Sequence, residues 1–449
     1  MRRSRIIPNT GAITVAGMAL IAGISVKRDD PRKAPLAEIG LSVQSLEPPM
    51  RAGLAKFEPA KGCYLGAYID FDPTLKLSYT DIGGRRHHEP GPFEKIVGKP
   101  HATYFFYMGY GSRLPVDWIR RLGSEGKFVH IALEPNDGLD RVRDDSYLHS
   151  LATEMRRSGA KIFLRFASEM NGKWTNYHND PKQYIQKFRL VHDVMKKIAP
   201  NVATVWCPFQ TPVKYIDRYY PGDAAVDWVG VNVYNVTYHD NNIRDPGFHE
   251  DPVQLMSHVY KTYSKRKPVM IGEFAATHFS VVEKTERPEF ATSKILRLYR
   301  SLPKFPRVKC INYFDSNNIK FVKSRENNDY SVTSHPAVLK AYKTAIASPY
   351  FLGRQILSDV ERPYARLSEG SSLKGWIGLK AEFDQNLGIT QIAIKLDGRI
   401  IRLAPSKSSQ FAELNAAALP EGSHLLEAEA RNEDGELVGY SRVEFISEG

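Results

Sequence analysis

Two glutamates stand where apolar runs give out. Glu169 follows "FLRFAS", and Glu273 closes the run "PVMIG". A carboxylate at the end of a buried strand is expensive to ionise unless it is paired or does chemistry. Two such groups facing one cleft can split an acetal: one attacks the anomeric carbon, and the other protonates the leaving oxygen. Such a double displacement needs carboxyls about 5–5.5 Å apart. Arg165 lies two strand periods before Glu169 and therefore shares its face. Glu134, in "LEPNDG", either binds sugar hydroxyls or caps nearby amides.

The elements that must position these groups are short apolar runs alternating with helical patterns. The runs are "CYLGAYID" (63–70), "ATYFFYM" (102–108), "FVHIALE" (128–134), "KIFLRFA" (161–167), "VATVWC" (202–207), "WVGVNVY" (228–234), "PVMIGEF" (268–274) and "VKCINYF" (308–314). Most are continuous, as expected of parallel strands buried on both faces. Asp180 and Pro181 suit a helix start, and Tyr184, Phe188, Val191, Met195 and Ile198 follow at helical spacing. Eight strands with helical crossovers predict a (β/α)8 TIM barrel over 59–347. A doubly wound open sheet is the alternative, but no glycine-rich phosphate fingerprint follows the first run. In such a barrel the strand ends carry the chemistry, which singles out Asp70, Glu134, Glu169, Tyr234, Glu273 and Tyr313–Phe314. Strands four and seven lie across the mouth from each other, so Glu169 and Glu273 would share a cleft.

After residue 348 the texture changes to alternating strands such as "HLLEAEAR" and "YSRVEFI" between Gly, Asp and Asn turns. A smaller all-β sandwich is expected over 348–449. At the other end, "MRRSR" precedes an apolar run, Gly11–Val26, and then "KRDDPRK". That pattern over 1–33 is an export signal, either cleaved or kept as a membrane anchor. Residues 34–58, rich in Pro, Lys and Arg, read as a linker.

The chain carries 62 Lys and Arg against 50 Asp and Glu, a net charge of +12. The basic residues are scattered, with no zinc-finger or RNA-recognition signature, which argues against nucleic acid as partner. The balance makes an acidic exopolysaccharide a substrate to consider. Cys63, Cys207 and Cys310 lie in or beside apolar runs and read as buried free thiols. His87, His88 and His178 sit in polar loops and read as solvated. No cluster has metal-ligand spacing.

The fragments "LRFASEMNGKW", "YYPGDAAVDWVGVNVYN" and "KPVMIGEF", in that order on strands four, six and seven, resemble glycoside hydrolase family 26. The resemblance covers about residues 59–347 and implies a retaining β-glycanase that needs no cofactor. By it, Glu169 matches the acid/base and Glu273 the nucleophile. Arg165 matches an arginine near the nucleophile, Tyr234 a tyrosine bonded to it, and Trp174 a tryptophan beside the acid/base. Ser168 stands where family mannanases usually carry histidine, which leaves the sugar open among mannan, glucan, xylan and an exopolysaccharide. The eighth strand ends in "YFDSNN" where a tryptophan is common, and Phe314 or Tyr313 would offer a smaller platform. The C-terminal region looks like an immunoglobulin-like module. The resulting expectation is an exported endo-acting enzyme on a β-linked polysaccharide; the alternative is a non-catalytic glycan-binding or export scaffold. Oligomeric state is left open.

Overall fold

The computed structural model describes residues 36–45, 54–322, 327–355, 364–383, 388–405 and 409–448. The expected export segment, 1–33, lies outside the described residues. Among them, no helix is long and apolar enough to cross a membrane.

Eight parallel strands close into a barrel. They are β1 (Cys63–Phe71), β2 (Thr103–Gly109), β3 (Phe128–Glu134), β4 (Ile162–Phe166), β5 (Val202–Trp206), β6 (Trp228–Asn235), β7 (Val269–Ala276) and β8 (Val308–Ser316). Each pairs with the next, and β8 returns to β1 with Cys310 opposite Tyr64 and Phe314 opposite Tyr68. These are the eight runs expected from the sequence, and their closure excludes the open sheet.

The crossovers bury one apolar stripe each against the outside of the barrel. In α4 (Pro181–Ile198) the buried side chains include Tyr184, Phe188, Val191 and Met195, and the Asp180 carboxylate accepts the Gln183 amide as N-cap. The β5–β6 connection is the exception, with only the four-residue helix Val213–Ile216 and short 3-10 turns.

Inside, the barrel is layered. Its floor is aromatic: Phe163 stacks edge-on against Trp228 at 5.1 Å and lies 5.1 Å from Phe128. Phe57 plugs this floor from below, 5.5 Å from both Phe128 and Phe163. Above the floor comes a polar layer containing His130, Arg165, Asn232 and Asn312, all buried. Glycine makes room there. A methyl group on Gly66 would stand 2.0 Å from Asn312 Oδ1 and 2.4 Å from Thr103 Cγ2. Tyr68, Phe105 and Phe314 form the layer over it.

The segment expected to be a linker is not featureless. Gly40–Ser45 forms a strand that pairs antiparallel with Ala365–Arg366, and Ala37–Glu38 pairs with the strand Leu437–Ser447. Ile39 and Leu41 are buried at alternate positions, a two-residue period that the charged, proline-rich flanks obscure. The C-terminal region is all-β, as expected. One sheet joins Ile389–Leu396, Arg399–Pro405, Gly422–Asn432 and Leu437–Ser447, and another joins Gly40–Ser45, Trp376–Glu382 and Ser409–Asn415. Buried residues alternate with outward ones along Gly422–Asn432, the pattern of a one-sided sheet. The three cysteines are free and buried.

Filling the space over Gly66 should overpack the barrel interior. Gly66→Ala is expected to destabilise the protein by about 1–3 kcal/mol, read as a lower midpoint in thermal unfolding.

Candidate active site

The C-terminal ends of the barrel strands open into a cleft of about 900 Å³ lined by Glu134, Glu169, Trp174, Tyr234 and Glu273 among others. Strand alternation brings Arg165 and Glu273 into the barrel interior from opposite sides, and both are buried. The Arg165 Nη2 donates to Glu273 Oε1. The Tyr107 hydroxyl donates to the same oxygen at 2.6 Å, and the Tyr234 hydroxyl donates to Oε2. Three donors, one of them a cation, thus converge on the Glu273 carboxylate. Gln210 holds Tyr234 in place by bonding its backbone on both sides, at 2.9 and 3.1 Å.

Glu169 has a different setting. Asn232 Nδ2 donates to its Oε1 at 2.8 Å and Trp174 Nε1 to its Oε2 at 2.7 Å. Burial, and then the charge of Glu273, push its pKa up to about 7, while these two donors and Arg165 pull against the rise. Its backbone is unusual too: φ is +60° at Glu169 and +48° at Ala167, the left-handed region that non-glycine residues avoid. The turn out of β4 is thus forced to aim the carboxyl into the cleft.

Asn232 links the two glutamates. Its amide nitrogen serves Glu169 while its Oδ1 accepts from Arg165 Nη1 at 3.2 Å. Trp174 is 57% exposed, so it is a cleft wall and not core. Its ring lies over Gly172, where a methyl group would meet the indole at 2.3 Å. Glycine in "MNGKW" is therefore what lets the indole N–H reach Glu169.

Residues 134–261 match the sequence profile of Glycosyl hydrolase family 26. This part of the barrel is similar to family 26 glycoside hydrolases. The chain is 25% identical over 282 residues to Endoglucanase H of Acetivibrio thermocellus, covering 57% of this chain and 28% of that protein. It is 27% identical over 114 residues to the Beta-1,3-xylanase TXYA of a Vibrio species, covering 23% of this chain and 24% of that one. The chain thus spans only about a quarter of the length of these curated relatives. Among solved structures, a modular endo-beta-1,4-mannanase from Cellulomonas fimi aligns with 86% of this chain and 94% of its own, at 15% identity and a TM-score of 0.47.

The remaining expected residues fall as follows. Ser168 is buried and turned to Glu134, to which both its hydroxyl and its amide donate, the amide at 3.2 Å. Glu134 thus caps a local amide and also lines the cleft. Phe314 and Tyr313 are no sugar platforms. Phe314 is 6% exposed and stacks on Tyr68 at 4.9 Å, while Tyr313 faces the outer helices and is fully buried. The alternation of β8 gives each ring a covered side.

The loop histidines also need correction. His87 and His88 are buried. The two ring nitrogens of His87 lie 3.1 Å from Asp70 and 3.0 Å from Asp81, and Trp118 stacks on the ring at 4.9 Å. The hairpin Ser78–Thr80/Arg86–His88 folds these polar residues inward, which loop composition alone does not announce. His178 is half-buried, with Nδ1 2.9 Å from the Thr175 carbonyl.

Sequence reasoning missed Tyr107 and Asn232. Tyr107 shares the inward parity of Phe105, and Asn232 is the one polar residue inside "WVGVNVY", so both signals were present. Among the described residues, no three His, Cys, Asp or Glu side chains cluster to hold a metal ion.

Removing the link should touch both carboxyls. Asn232→Ala is expected to lower kcat/KM by the value of a bond to a charged group, about 1.5–3 kcal/mol. The alkaline limb of the pH profile should move up, because ionised Glu169 loses a donor.

Proposed function

We propose that the protein is an exported, retaining endo-β-glycanase acting on a neutral β-linked polysaccharide. The observation that carries this reading is the contrast between two carboxyls in one cleft. Glu273 has three donors and is suited to attack; Glu169 has a pKa near 7 and is suited to give up a proton.

In the first step a Glu273 carboxylate oxygen bonds to the anomeric carbon as the bond to the leaving oxygen breaks. The proton of Glu169 moves to that oxygen. The ester formed on Glu273 is uncharged, so the second-largest cause of the raised Glu169 pKa disappears. Glu169 then becomes the stronger base needed to take a proton from water, which attacks the anomeric carbon and frees Glu273. Trp174 offers an exposed indole face on which a sugar ring can stack.

The relatives named above act, by their names, on glucan, β-1,3-xylan and β-1,4-mannan, and any of these backbones suits this reading. An acidic exopolysaccharide suits it less. Among the described lining residues there is no Lys or Arg, whereas Asp240, Asp245 and Glu250 join the three glutamates. The described lining residues therefore do not carry the positive balance of the chain, and a uronate beside Asp240, Asp245 and Glu250 would meet like charge. We further propose that 1–33 directs export and that the all-β region is an immunoglobulin-like accessory module.

Replacing Glu273 by Ala should lower polysaccharide hydrolysis on the order of 10⁴-fold or more. Unchanged hydrolysis in both Glu273→Ala and Glu169→Ala would overturn the two-glutamate mechanism, and no hydrolysis of any β-glycan by the parent protein would mean a binding scaffold instead. Proton NMR of the first-formed product should show the β-anomer; an α-anomer contradicts the two-step path. The kcat/KM profile should fall as pH rises through about 7, because the productive form of Glu169 is protonated.

A further inference from the structure

We propose that Glu134 is held as a neutral carboxylic acid, and that its proton, relayed through the Tyr177 hydroxyl, ties down the peptide that aims Glu169. This rests on the reading of Glu169 as the acid/base. It makes Glu134 a positioning residue and not a catalytic one.

An ionised Glu134 would leave this cluster one hydrogen short. The Tyr177 hydroxyl oxygen lies 2.5 Å from Glu134 Oε2 and 2.6 Å from the Ser168 carbonyl oxygen. A phenol has one proton, and a carbonyl only accepts. If Glu134 were ionised, both neighbours would be acceptors, and one of the two contacts would be bare oxygen against oxygen. A proton on Oε2 removes the conflict: Glu134 donates to Tyr177, and Tyr177 donates to Ser168. Both distances suit short O–H···O bonds. The other oxygen, Oε1, accepts the Ser168 hydroxyl. The Ser168 amide reaches Oε2 at 3.2 Å, where a hydroxyl oxygen still has lone pairs to offer.

The charged surroundings agree. Burial raises the Glu134 pKa most, and Glu273 on β7 adds to the rise. Arg165 on β4 and the hydrogen bonds with Ser168 and Tyr177 oppose it. Tyr184 on α4 faces the same group and brings no cation.

The Ser168 carbonyl belongs to the peptide that leads into Glu169. That peptide sits between two positive-φ residues, φ +48° at Ala167 and +60° at Glu169. Such a turn persists only where its surroundings hold it. The Glu169 amide is tied to the Cys207 carbonyl at 2.9 Å, and Tyr177 ties the carbonyl on the other side. With Ser168 as the residue before the acid/base, its side chain becomes part of the brace.

Glu134→Gln tests this, because an amide can donate to Tyr177 while its oxygen accepts the Ser168 hydroxyl. It should keep kcat within about tenfold of the parent, losing the 3.2 Å amide contact. Tyr177→Phe, which removes the relay, should lower kcat by about 10²-fold with little change in KM. Its pH profile should shift upward on the alkaline side as Glu169 is misaligned from Asn232 and Trp174. An infrared difference spectrum at neutral pH between the parent and Glu134→Gln should show the loss of one protonated-carboxyl band. No such band, or a Gln variant as impaired as Tyr177→Phe, overturns the proposal. The infrared result does not depend on activity, so it separates failure here from failure of the acid/base assignment.

Discussion

The buried pair between Arg165 and Glu273 is the interaction on which the rest of the site depends. Arg165 has no exposed surface, and a guanidinium in that position must be paired and hydrogen-bonded. Glu273 supplies the charge and Asn232 a further acceptor. Removing one partner of such a pair leaves an uncompensated buried charge, at a cost of about 3–5 kcal/mol. The polar layer of the barrel is therefore a matter of stability as well as chemistry. Phe105 and Tyr107 also face the guanidinium with ring centroids 5.4 and 5.7 Å away, so its remaining surface is covered by π-faces.

From that pair the difference between the two glutamates follows. One residue satisfies the cation and gathers phenol donors; the other lies within reach of the same field but is bonded only by neutral amide and indole groups. Both are glutamates at the ends of parallel strands, and neither role is intrinsic to the residue type. Asn232 keeps the two settings in register, because moving the guanidinium would move the amide that Glu169 accepts. The site is thus one connected polar network, which is why substitutions within it are expected to be non-additive.

The strand runs and both glutamates were legible because a doubly buried strand is a long-range constraint written locally, as an unbroken apolar run. Arg165 was legible because inward parity and the family resemblance agreed on it, and Tyr234 because it ends a strand and the resemblance matched it. The histidine clamp was not legible: whether a polar residue in a loop is solvated depends on what the loop folds onto, here Asp70, Asp81 and Trp118. Ile39 and Leu41 failed for a related reason, since two inward residues amid Pro, Lys and Arg are too short a period to detect. Tyr107 and Asn232 were visible on the inward face, but nothing local distinguishes a catalytic support from a tolerated polar residue. Only the placement of Glu273 and Glu169 does that.

The aromatic floor has a consequence for how this fold can diversify. Phe128, Phe163 and Trp228 close the barrel beneath the polar layer, and Phe57 seals them from outside. The machinery rests on this packed base and on strand backbone, not on the loops that carry Asp240, Asp245 and Asn327 to the rim. Those loops can therefore be rewritten while the polar layer beneath keeps its geometry. On the proposed function, sugar preference and bond cleavage would be under separate structural control, so one could drift over generations while the other stands still.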